Sequence, residues 1–206
     1  MFITIEGPEG SGKTSAITTV INKLEEMGYQ IVRTREPGGT EIAEQIRNVI
    51  LDKANTNMDP RTEALLYAAS RRQHLVEKVW PALKEGKIVI CDRYLDSSLA
   101  YQGGARGLGI ENILNINLFA TENTWPDLTL LFDIDPTIGL SRISKNAERE
   151  VNRLDLEKLD FHTKVRNTFL SLSKQYQERY VVIDASLSME EVANKALQVI
   201  LERLCK

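Results

Sequence analysis

The sequence lacks most of the features that mark membrane, secreted or nucleic-acid-binding proteins. It holds only two cysteines in 206 residues, and Cys91 and Cys205 have neither metal-site spacing nor the number needed for a disulfide framework. No apolar run is long enough to cross a bilayer, and no signal segment is visible ahead of the first apolar run. The net charge of −3 lacks the basic excess of a nucleic-acid binder. We therefore expect a cytoplasmic protein with neither a membrane nor a nucleic-acid polymer as its partner.

What the chain does contain is an alternation of short apolar runs and longer amphipathic segments. Its apolar share of 42% is enough for one buried core, and its length suits a single domain spanning residues 1–206. Continuous apolar, β-branched runs predict parallel strands covered on both faces, at 2–5, 30–34, 87–91, 128–134 and 180–183. Helical periodicity predicts helices at 13–26, 41–51, 61–84, 96–102, 110–121, 136–145, 156–178 and 189–204.

The order of these elements indicates the fold class. Strands that alternate with helices form right-handed βαβ units, which predict an α/β three-layer sandwich around a five-stranded parallel sheet. Two polar stretches, 52–59 and 146–152, predict loops. We interpret the second, which is charged, as a mobile loop rather than a domain boundary. His74 and His162 lie in predicted helices without a recognisable partner pattern, and we expect both to be structural.

An uninterrupted G-x-x-x-x-G-K-T pattern follows the first predicted strand and opens the first predicted helix. Such a loop turns successive backbone N–H groups towards an anion, and the helix adds its positive end. We expect Lys13 to reach the terminal phosphates of ATP and the Thr14 hydroxyl to hold Mg²⁺. The alternative is a glycine-rich turn beside a solvated lysine, which the strand–turn–helix context disfavours. The expected ATP-binding residues are Gly7, Pro8, Glu9, Gly10, Ser11, Gly12, Lys13 and Thr14.

A second polar element ends the third predicted strand, where Asp92 and Arg93 follow an apolar run. The carboxyl ends of parallel strands form the ligand-binding edge of such a sheet, so Asp92 is expected beside the phosphate-binding loop. There it would orient Mg²⁺ or its waters. Asp92 could instead cap the next helix, and the two roles are compatible.

ATP binding by itself leaves three classes open: a phosphotransferase, a nucleotide-controlled switch and an ATP-driven motor. The chain contains neither the Asn-Lys-x-Asp nor the Asp-x-x-Gly pattern of a guanine-nucleotide switch. A motor is usually larger. The arginines near predicted loops indicate a second anionic substrate, which favours a phosphotransferase.

Four segments, in this order and at matching spacing, resemble the bacterial thymidylate kinases. They are 7–14, 35–39 (Arg-Glu-Pro-Gly-Gly), 92–94 (Asp-Arg-Tyr) and 98–103 (Ser-Leu-Ala-Tyr-Gln-Gly), and the resemblance extends through essentially the whole chain. It implies a P-loop nucleoside monophosphate kinase fold with a short lid. It also implies transfer of the γ-phosphoryl group of ATP to thymidine monophosphate (dTMP) in dTTP synthesis, and a homodimer formed through helices.

The resemblance assigns a base-binding role to several residues. Arg71, Gln102 and the nearby Ser98 match positions that hydrogen-bond the thymine edge, and Tyr67 matches an aromatic residue that stacks on the base. Tyr67 and Arg71 are four residues apart in a predicted helix and would point from one face. From the residues alone, core packing for Tyr67 and a solvated helix face for Arg71 remain alternatives. Family members more often carry phenylalanine at position 67, and tyrosine retains the stacking surface.

Further matched positions concern the sugar and the phosphate of the acceptor. The resemblance implies that Arg47 and Arg93 hold the phosphate, that Glu9 contacts the 3′-hydroxyl, and that Tyr101 excludes a ribose 2′-hydroxyl. Glu36 precedes Pro37 in a turn that shapes the pocket, and this X-Pro bond is a candidate for the cis form. The full set implied for dTMP is Glu9, Glu36, Arg47, Tyr67, Ser70, Arg71, Arg93, Ser98, Tyr101 and Gln102.

The remaining catalytic charge is expected from the lid, which we predict at about residues 142–153. Some thymidylate kinases carry an arginine within the phosphate-binding loop, but here that position is Gly10. Lid cations recur every three or four residues and would share a face if helical, although a solvated, salt-bridged surface explains the same spacing. Arg153 matches the bacterial pattern best and Arg149 is second, so the predicted catalytic residues are Lys13, Arg93, Arg149 and Arg153.

Two rival functions stay open. A kinase of the same fold could act on another monophosphate or on a deoxynucleoside, which an assay across nucleotides would separate. An ATP-sensing interaction protein without catalysis would produce no ADP, and the intact Lys13, Asp92 and lid arginines disfavour it.

Overall fold

The computed structural model of the chain describes residues 1–145 and 153–205. All five predicted strands are present, and their ends differ from the predicted ends by at most one residue. They are β1 (Phe2–Glu6), β2 (Ile31–Arg35), β3 (Ile88–Asp92), β4 (Leu128–Asp133) and β5 (Tyr180–Asp184).

Helices connect these strands, and five of them have the predicted bounds. In chain order the α-helices are α1 (Lys13–Glu26), α2 (Glu41–Leu51), α3 (Pro60–His74), α4 (Trp80–Lys84), α5 (Leu95–Ser98), α6 (Ile110–Thr121), α7 (Pro136–Lys145), α8 (Leu159–Gln175) and α9 (Met189–Leu204). Within the described residues, no helix combines the length and the apolar character that crossing a membrane requires.

The helix predicted at 61–84 is divided into three pieces. A π-helical turn, Leu75–Val79, separates α3 from α4. Pro81 explains the interruption, because proline cannot donate a backbone hydrogen bond and its ring clashes with the carbonyl four residues earlier. The start of α3 is set by Asp59, whose side chain accepts hydrogen bonds from the backbone of Arg61 and Thr62.

Two other predicted helices also differ in detail. The segment predicted at 96–102 begins as α5 and continues as a π-helix, Leu99–Ala105. Its end lies close to α8, since a Cβ at Gly104 would lie 2.1 Å from the Thr168 hydroxyl oxygen. The helix predicted at 156–178 is shorter, and a 3₁₀ turn, Arg153–Leu156, precedes it.

The sheet is parallel throughout, with strand order β2-β3-β1-β4-β5. Alternate residues of each strand face different layers: Phe2 packs with α3, α6 and α8, whereas Ile3 and Ile5 pack with α1 and α9. Two apolar cores therefore lie on opposite faces of the sheet, which confirms the predicted α/β three-layer sandwich. Burying one such aliphatic side chain contributes about 1.5–3 kcal/mol.

The order of the strands also fixes where a ligand can bind. The chain leaves β1 towards β2 and β3 on one side, and later adds β4 and β5 on the other. Connections that diverge in this way open a crevice at the carboxyl ends of the central strands. Residues 7–14 follow β1 and Asp92 ends β3, so both lie at this crevice.

Candidate active site

Residues 7–14, which we call the phosphate cradle, curl tightly between β1 and α1. Gly7 and Gly10 have φ values of +144° and +73°, which side-chain-bearing residues rarely adopt. A Cβ at Gly10 would lie 2.1 Å from the carbonyl oxygen of Gly139 on α7. A side chain at position 10 would therefore require α7 to move, and the cradle depends on glycine there for both reasons.

Lys13 turns back over the cradle from the first turn of α1. Its Nζ donates to the carbonyl oxygens of Gly7 (2.9 Å) and Pro8 (2.8 Å) and to the Ser11 hydroxyl (3.1 Å). Burial, together with the nearby Arg93 guanidinium, lowers the pKa of Lys13 to about 8. The ammonium is therefore held inside the cradle by two carbonyl oxygens and one hydroxyl oxygen, where a cation can pair with a phosphate anion.

Thr14 and Asp92 meet across the crevice. The Thr14 hydroxyl donates to Oδ2 of Asp92 at 3.1 Å, which brings the start of α1 to the end of β3. Hydroxyl and carboxylate oxygens are hard ligands of the kind that Mg²⁺ prefers. The pair fits the predicted magnesium site in both chemistry and position.

Arg93 occupies a strained position beside the cradle. Its φ is +69°, a region that residues other than glycine visit seldom and mainly at functional sites. Nη1 donates to Gly7 O (3.0 Å), and Nη2 donates to Oε1 of Glu9 (2.7 Å). Burial alone would lower the pKa of Arg93, but Glu9 and the other nearby acids hold that pKa above its usual value. The cation is therefore permanent.

A second cationic centre lies at Arg71 on α3, which is only 1% exposed. Nε donates to Glu36 (2.7 Å), Nη1 donates to the Ser98 hydroxyl (3.1 Å), and Nη2 donates to the carbonyl of Tyr94 (2.9 Å). The side-chain oxygen of Asn117 accepts a further bond. Breaking such a buried pair costs about 3–5 kcal/mol, so the guanidinium is firmly oriented.

We call the space around this cation the Arg71 pocket, formed by Glu36, Tyr67, Arg71, Ser98 and Gln102. Tyr67 lies one turn before Arg71 on α3, and its ring packs partly buried against the core. Gln102 comes from the π-helix and donates to Glu63 on α3 at 2.8 Å. A planar ring, a guanidinium and an amide therefore line the same cleft.

The turn before α2 closes one side of the Arg71 pocket. The Glu36–Pro37 peptide bond is cis, as expected. Arg47 donates to the carbonyl of Pro37 at 2.9 Å. His74 is buried and bonds to Oε1 of Glu36 (2.9 Å) and to the Thr34 hydroxyl (2.6 Å), so it holds the Glu36 carboxylate in place.

Tyr101 lies between the cradle and the Arg71 pocket. Its hydroxyl donates to Oε1 of Glu9 at 3.1 Å, and the Arg93 guanidinium lies over its ring, 5.1 Å from the centroid. Burial raises the pKa of Tyr101 well above its ordinary value, so the phenol stays neutral. The ring therefore lines the cleft next to Glu9 and Arg93.

All of these groups open into one cleft with a volume of about 620 Å³. Residues of the cradle, the Thr14–Asp92 pair, Arg93 and the Arg71 pocket all line this cleft. A family model for thymidylate kinase matches residues 5–196.

The chain belongs to the thymidylate kinase family.

Individual thymidylate kinases are similar to this chain over nearly its whole length. A thymidylate kinase of Halalkalibacterium halodurans is 60% identical over 203 residues, covering 98% of this chain and 97% of the relative. One of Bacillus velezensis is 59% identical over 206 residues, covering 100% and 97%. The crystal structure of thymidylate kinase from Ehrlichia chaffeensis is 32% identical, with a TM-score of 0.79 and 98% coverage of both chains. The P-loop kinase fold expected from the resemblance is confirmed.

One residue that the family resemblance assigned to dTMP binding does not line the cleft. Ser70 is completely buried, accepts from the backbone N–H of Gly38 (3.2 Å) and donates to the carbonyl of Ala43 (3.3 Å). It thereby joins α3 to the turn that carries Glu36. In this arrangement Ser70 supports the pocket from behind.

The predicted lid cations lie in different surroundings. Arg142 and Lys145 are on α7, and Arg142 lines the cleft while donating to the carbonyl of Ala185 at 2.9 Å. Arg149 lies outside the described residues. Arg153 starts the 3₁₀ turn rather than extending α7, and its side chain is buried against Glu63 and donates to the carbonyl of Ile50 (2.9 Å). The predicted shared face therefore does not include Arg153.

Sequence analysis missed two parts of the site. Glu63 bonds to Gln102, and Asn117 bonds to Arg71. For Glu63 the available signal was the helical spacing of positions 63, 67 and 71, which are one turn apart. The cleft also continues past Arg142 to a mostly apolar end formed by Ala185, Leu187, Met189 and Val192. No motif marks that end, because apolar side chains after β5 are indistinguishable from core residues in the sequence.

Proposed function

We propose that this protein transfers the terminal phosphoryl group of ATP to dTMP, giving thymidine diphosphate and ADP for dTTP synthesis. The observation that carries the proposal is a buried, oriented Arg71 that shares one cleft with the phosphate cradle. Transfer between two nucleotides requires their phosphates to be held side by side. Membership of the thymidylate kinase family supports thymine as the base. We place the reaction in the cytoplasm.

In this proposal the two nucleotides enter from opposite ends of the cleft. The cradle, with Lys13 at its centre, receives the phosphates of ATP, and the apolar end near Leu187 receives the adenine. The thymine of dTMP stacks on Tyr67, with its polar edge towards Arg71 and Gln102. The acceptor phosphate then lies towards Arg93 and Arg47, between the base and the cradle.

The chemistry needs no dedicated base. The second pKa of a phosphate monoester is about 6, so dTMP is largely dianionic at neutral pH and is already nucleophilic. Lys13 and the permanently charged Arg93 reduce the repulsion between the two anions and hold them in line. A Mg²⁺ ion that arrives with ATP and binds Thr14 and Asp92 would shield the phosphate oxygens.

The charge of the migrating group needs further cations, because Gly10 provides none. The proposal assigns them to the lid, with Arg153 and Arg149 as the candidates. For Arg153 this role requires release from the Glu63 carboxylate and the Ile50 carbonyl. Arg142 already lines the cleft and needs no such release.

A coupled assay of ADP production across nucleoside monophosphates tests the proposal directly. We expect dTMP to have the highest kcat/KM, well above those of dCMP, dGMP, AMP and free thymidine. Higher efficiency with another acceptor would identify a different kinase of the same fold. Failure to produce ADP with any acceptor would favour an ATP-sensing protein.

The proposal also includes a homodimer. Leu65 on α3, Val76 on the π-turn and Phe119 on α6 are 56%, 43% and 88% exposed, although these elements pack against one another within the chain. A contiguous patch of exposed apolar side chains marks an interaction surface. Light scattering should give the mass of two chains, and Phe119→Asp should reduce it to one. Met27→Asp, on the opposite layer and 54% exposed, is the matched control and should leave the mass unchanged.

A further inference from the structure

A buried carboxylate, Glu63, bonds to Gln102 of the Arg71 pocket and is not among the residues assigned to either substrate. It is 1% exposed. Oε1 accepts from Nε2 of Gln102 (2.8 Å) and from Nε of Arg106 (3.3 Å), while Oε2 accepts from Nη2 of Arg106 (3.2 Å) and from Arg153. Removing a carboxylate from water is expensive unless charges and hydrogen bonds compensate it. Two arginines and an amide provide that compensation here.

The protonation state of Glu63 follows from these partners. Burial by itself would raise the pKa of Glu63, but Gln102, Arg106 and Arg153 together hold that pKa below its usual value. At neutral pH the group is therefore a carboxylate. An ionised carboxylate only accepts hydrogen bonds and never donates.

This restriction fixes the orientation of the Gln102 side chain. A glutamine amide carries a donor NH₂ and an acceptor oxygen, and the two can exchange places by rotation. Because Glu63 can only accept, the NH₂ must face Glu63 and the oxygen must lie on the other side of the amide. Among the described residues this oxygen has no hydrogen-bond donor, and it is not sealed from the cleft that Gln102 lines.

The cleft therefore presents an acceptor at Gln102 together with Arg71, whose bonds to Glu36, Ser98, Asn117 and Tyr94 use four of its five N–H donors. Thymine and uracil carry the complementary pair, an N3–H donor next to the O4 acceptor. Cytosine carries the reverse pair, an unprotonated N3 next to an amino donor. A freely rotating Gln102 amide would accommodate either base edge. An amide with its oxygen fixed towards the base accepts only the edge of thymine or uracil.

We infer that Glu63 is a specificity-determining positioning residue, which fixes the Gln102 amide so that its oxygen selects pyrimidines bearing an N3–H group over cytosine. The inference rests on the proposed function, since it assumes that the acceptor base lies in the Arg71 pocket. Glu63 does not separate thymine from uracil, because both carry the same N3–H and O4 pair.

Glu63→Gln tests this role with almost no change in shape. A glutamine can face Gln102 with either its oxygen or its NH₂, so the Gln102 amide is released. We expect the ratio of kcat/KM for dTMP to that for dCMP to fall by about tenfold or more, as expected for a lost oriented hydrogen bond. dTMP methylated at N3 lacks the N3–H donor and should be a poorer substrate than dTMP for the wild type. The difference in kcat/KM between these two substrates should shrink in Glu63→Gln.

Arg106→Met is the matched control. It removes a partner from the same carboxylate; among the described residues Arg106 has no hydrogen bond to the Gln102 side chain, and it does not line the cleft. We expect it to lower the thermal midpoint while leaving the dTMP-to-dCMP ratio within about twofold of the wild-type value, since the carboxylate still faces the amide. A similar change of ratio in both variants would mean that Glu63 acts only through stability, and it would overturn the inference.

Two further variants, Gln102→Met and Glu63→Asp, test the inference even if Glu63→Gln folds poorly. Gln102→Met leaves Glu63 intact and should lower the ratio by a comparable factor, and an unchanged ratio in this variant rejects the inference. Glu63→Asp keeps the negative charge but draws the carboxylate back by one methylene, which weakens its bond to Gln102, so it should change the ratio in the same direction. If Glu63→Gln folds and keeps the wild-type ratio of kcat/KM for dTMP to that for dCMP, the inference is also rejected. Wild-type protein that phosphorylates another acceptor but not dTMP would instead reject the proposed function.

Discussion

The phosphate cradle and the Arg71 pocket face each other across one cleft but are built differently. The cradle is one continuous segment, 7–14, and the side-chain bonds of Ser11 and Lys13 inside it join residues within six positions of each other. The Arg71 pocket draws Glu36, Arg71, Ser98 and Gln102 from separate elements, with contacts between residues 27 to 39 positions apart. A local site depends mainly on backbone geometry, whereas a dispersed one depends on buried side-chain charges.

This difference predicts how each site fails when a side chain is removed. The cradle should lose catalysis while the protein stays folded, because its backbone remains in place. The Arg71 pocket should lose both binding and stability, since each of its charges is buried against another.

Lys13→Ala should have the largest effect. Turnover is expected to fall by about a thousandfold or more, because the ammonium stabilises charge in the transition state. Thermal stability should change little. Lys23→Ala, on the same helix and bonded only to Asn194 among the described residues, is the control for general effects on α1. Near-wild-type turnover in steady-state assays of Lys13→Ala would remove the cradle from the mechanism.

The lid arginines test whether one cation can serve both catalysis at the cradle and the stability of the buried charges behind the Arg71 pocket. Arg153→Ala is expected to lower turnover by about a hundredfold or more if Arg153 acts as an arginine finger. It should also destabilise the fold by up to about 3–5 kcal/mol, because Glu63 loses a buried partner. dTMP binding should barely change.

Arg142→Ala separates these two contributions, since Arg142 lines the cleft and bonds only to the carbonyl of Ala185 among the described residues. Its stability should stay near that of the wild type. If Arg153→Ala loses stability but keeps full turnover at a temperature where it is folded, Arg153 is structural. The compensating charge would then lie with Arg142 or with Arg149.

Arg71→Ala should weaken dTMP binding by about 1–3 kcal/mol, because polar groups of the buried base lose their partner. It should also lower stability, since Glu36 keeps His74 but loses its charged partner. Binding of an ATP analogue should be unchanged, and calorimetric titrations of both ligands measure the contrast. Equal losses for the two ligands would show that the two regions are not independent.

Tyr101 lies between the regions, and the smallest effect is expected there. Tyr101→Phe loses only the bond to Glu9 and should keep most activity, because the proposed gate against ribose depends on the bulk of the ring. Tyr101→Ala should narrow the preference for dTMP over ribothymidine monophosphate. Specificity constants for the two substrates decide this, and an unchanged ratio in Tyr101→Ala would reject the gate.

Local signals in the sequence were sufficient for the fold and the cradle. Apolar β-branched runs predicted each strand, and the glycine pattern of 7–14 predicted the cradle, because strand formation and a tight anion-binding turn depend on neighbouring residues. The same local reasoning failed at Pro81. The periodicity of 61–84 is helical throughout, and only the hydrogen-bond pattern shows the π-turn.

The Arg71 pocket shows where sequence reasoning ended. The resemblance to thymidylate kinases indicated Arg71 and Gln102. For Glu63 the sequence offered only its helical spacing from Tyr67 and Arg71, which does not show burial, and nothing in the sequence placed Arg153 in the interior. Both outcomes depend on which residues distant in the chain meet Glu63, and therefore on how α3, the π-helix and the 3₁₀ turn pack together. By itself the sequence determined the strands, the order of elements and the phosphate cradle, since these follow from residue type and spacing. The tertiary structure decided which charges are buried together, because the energy of a buried charge depends on partners that packing brings to it.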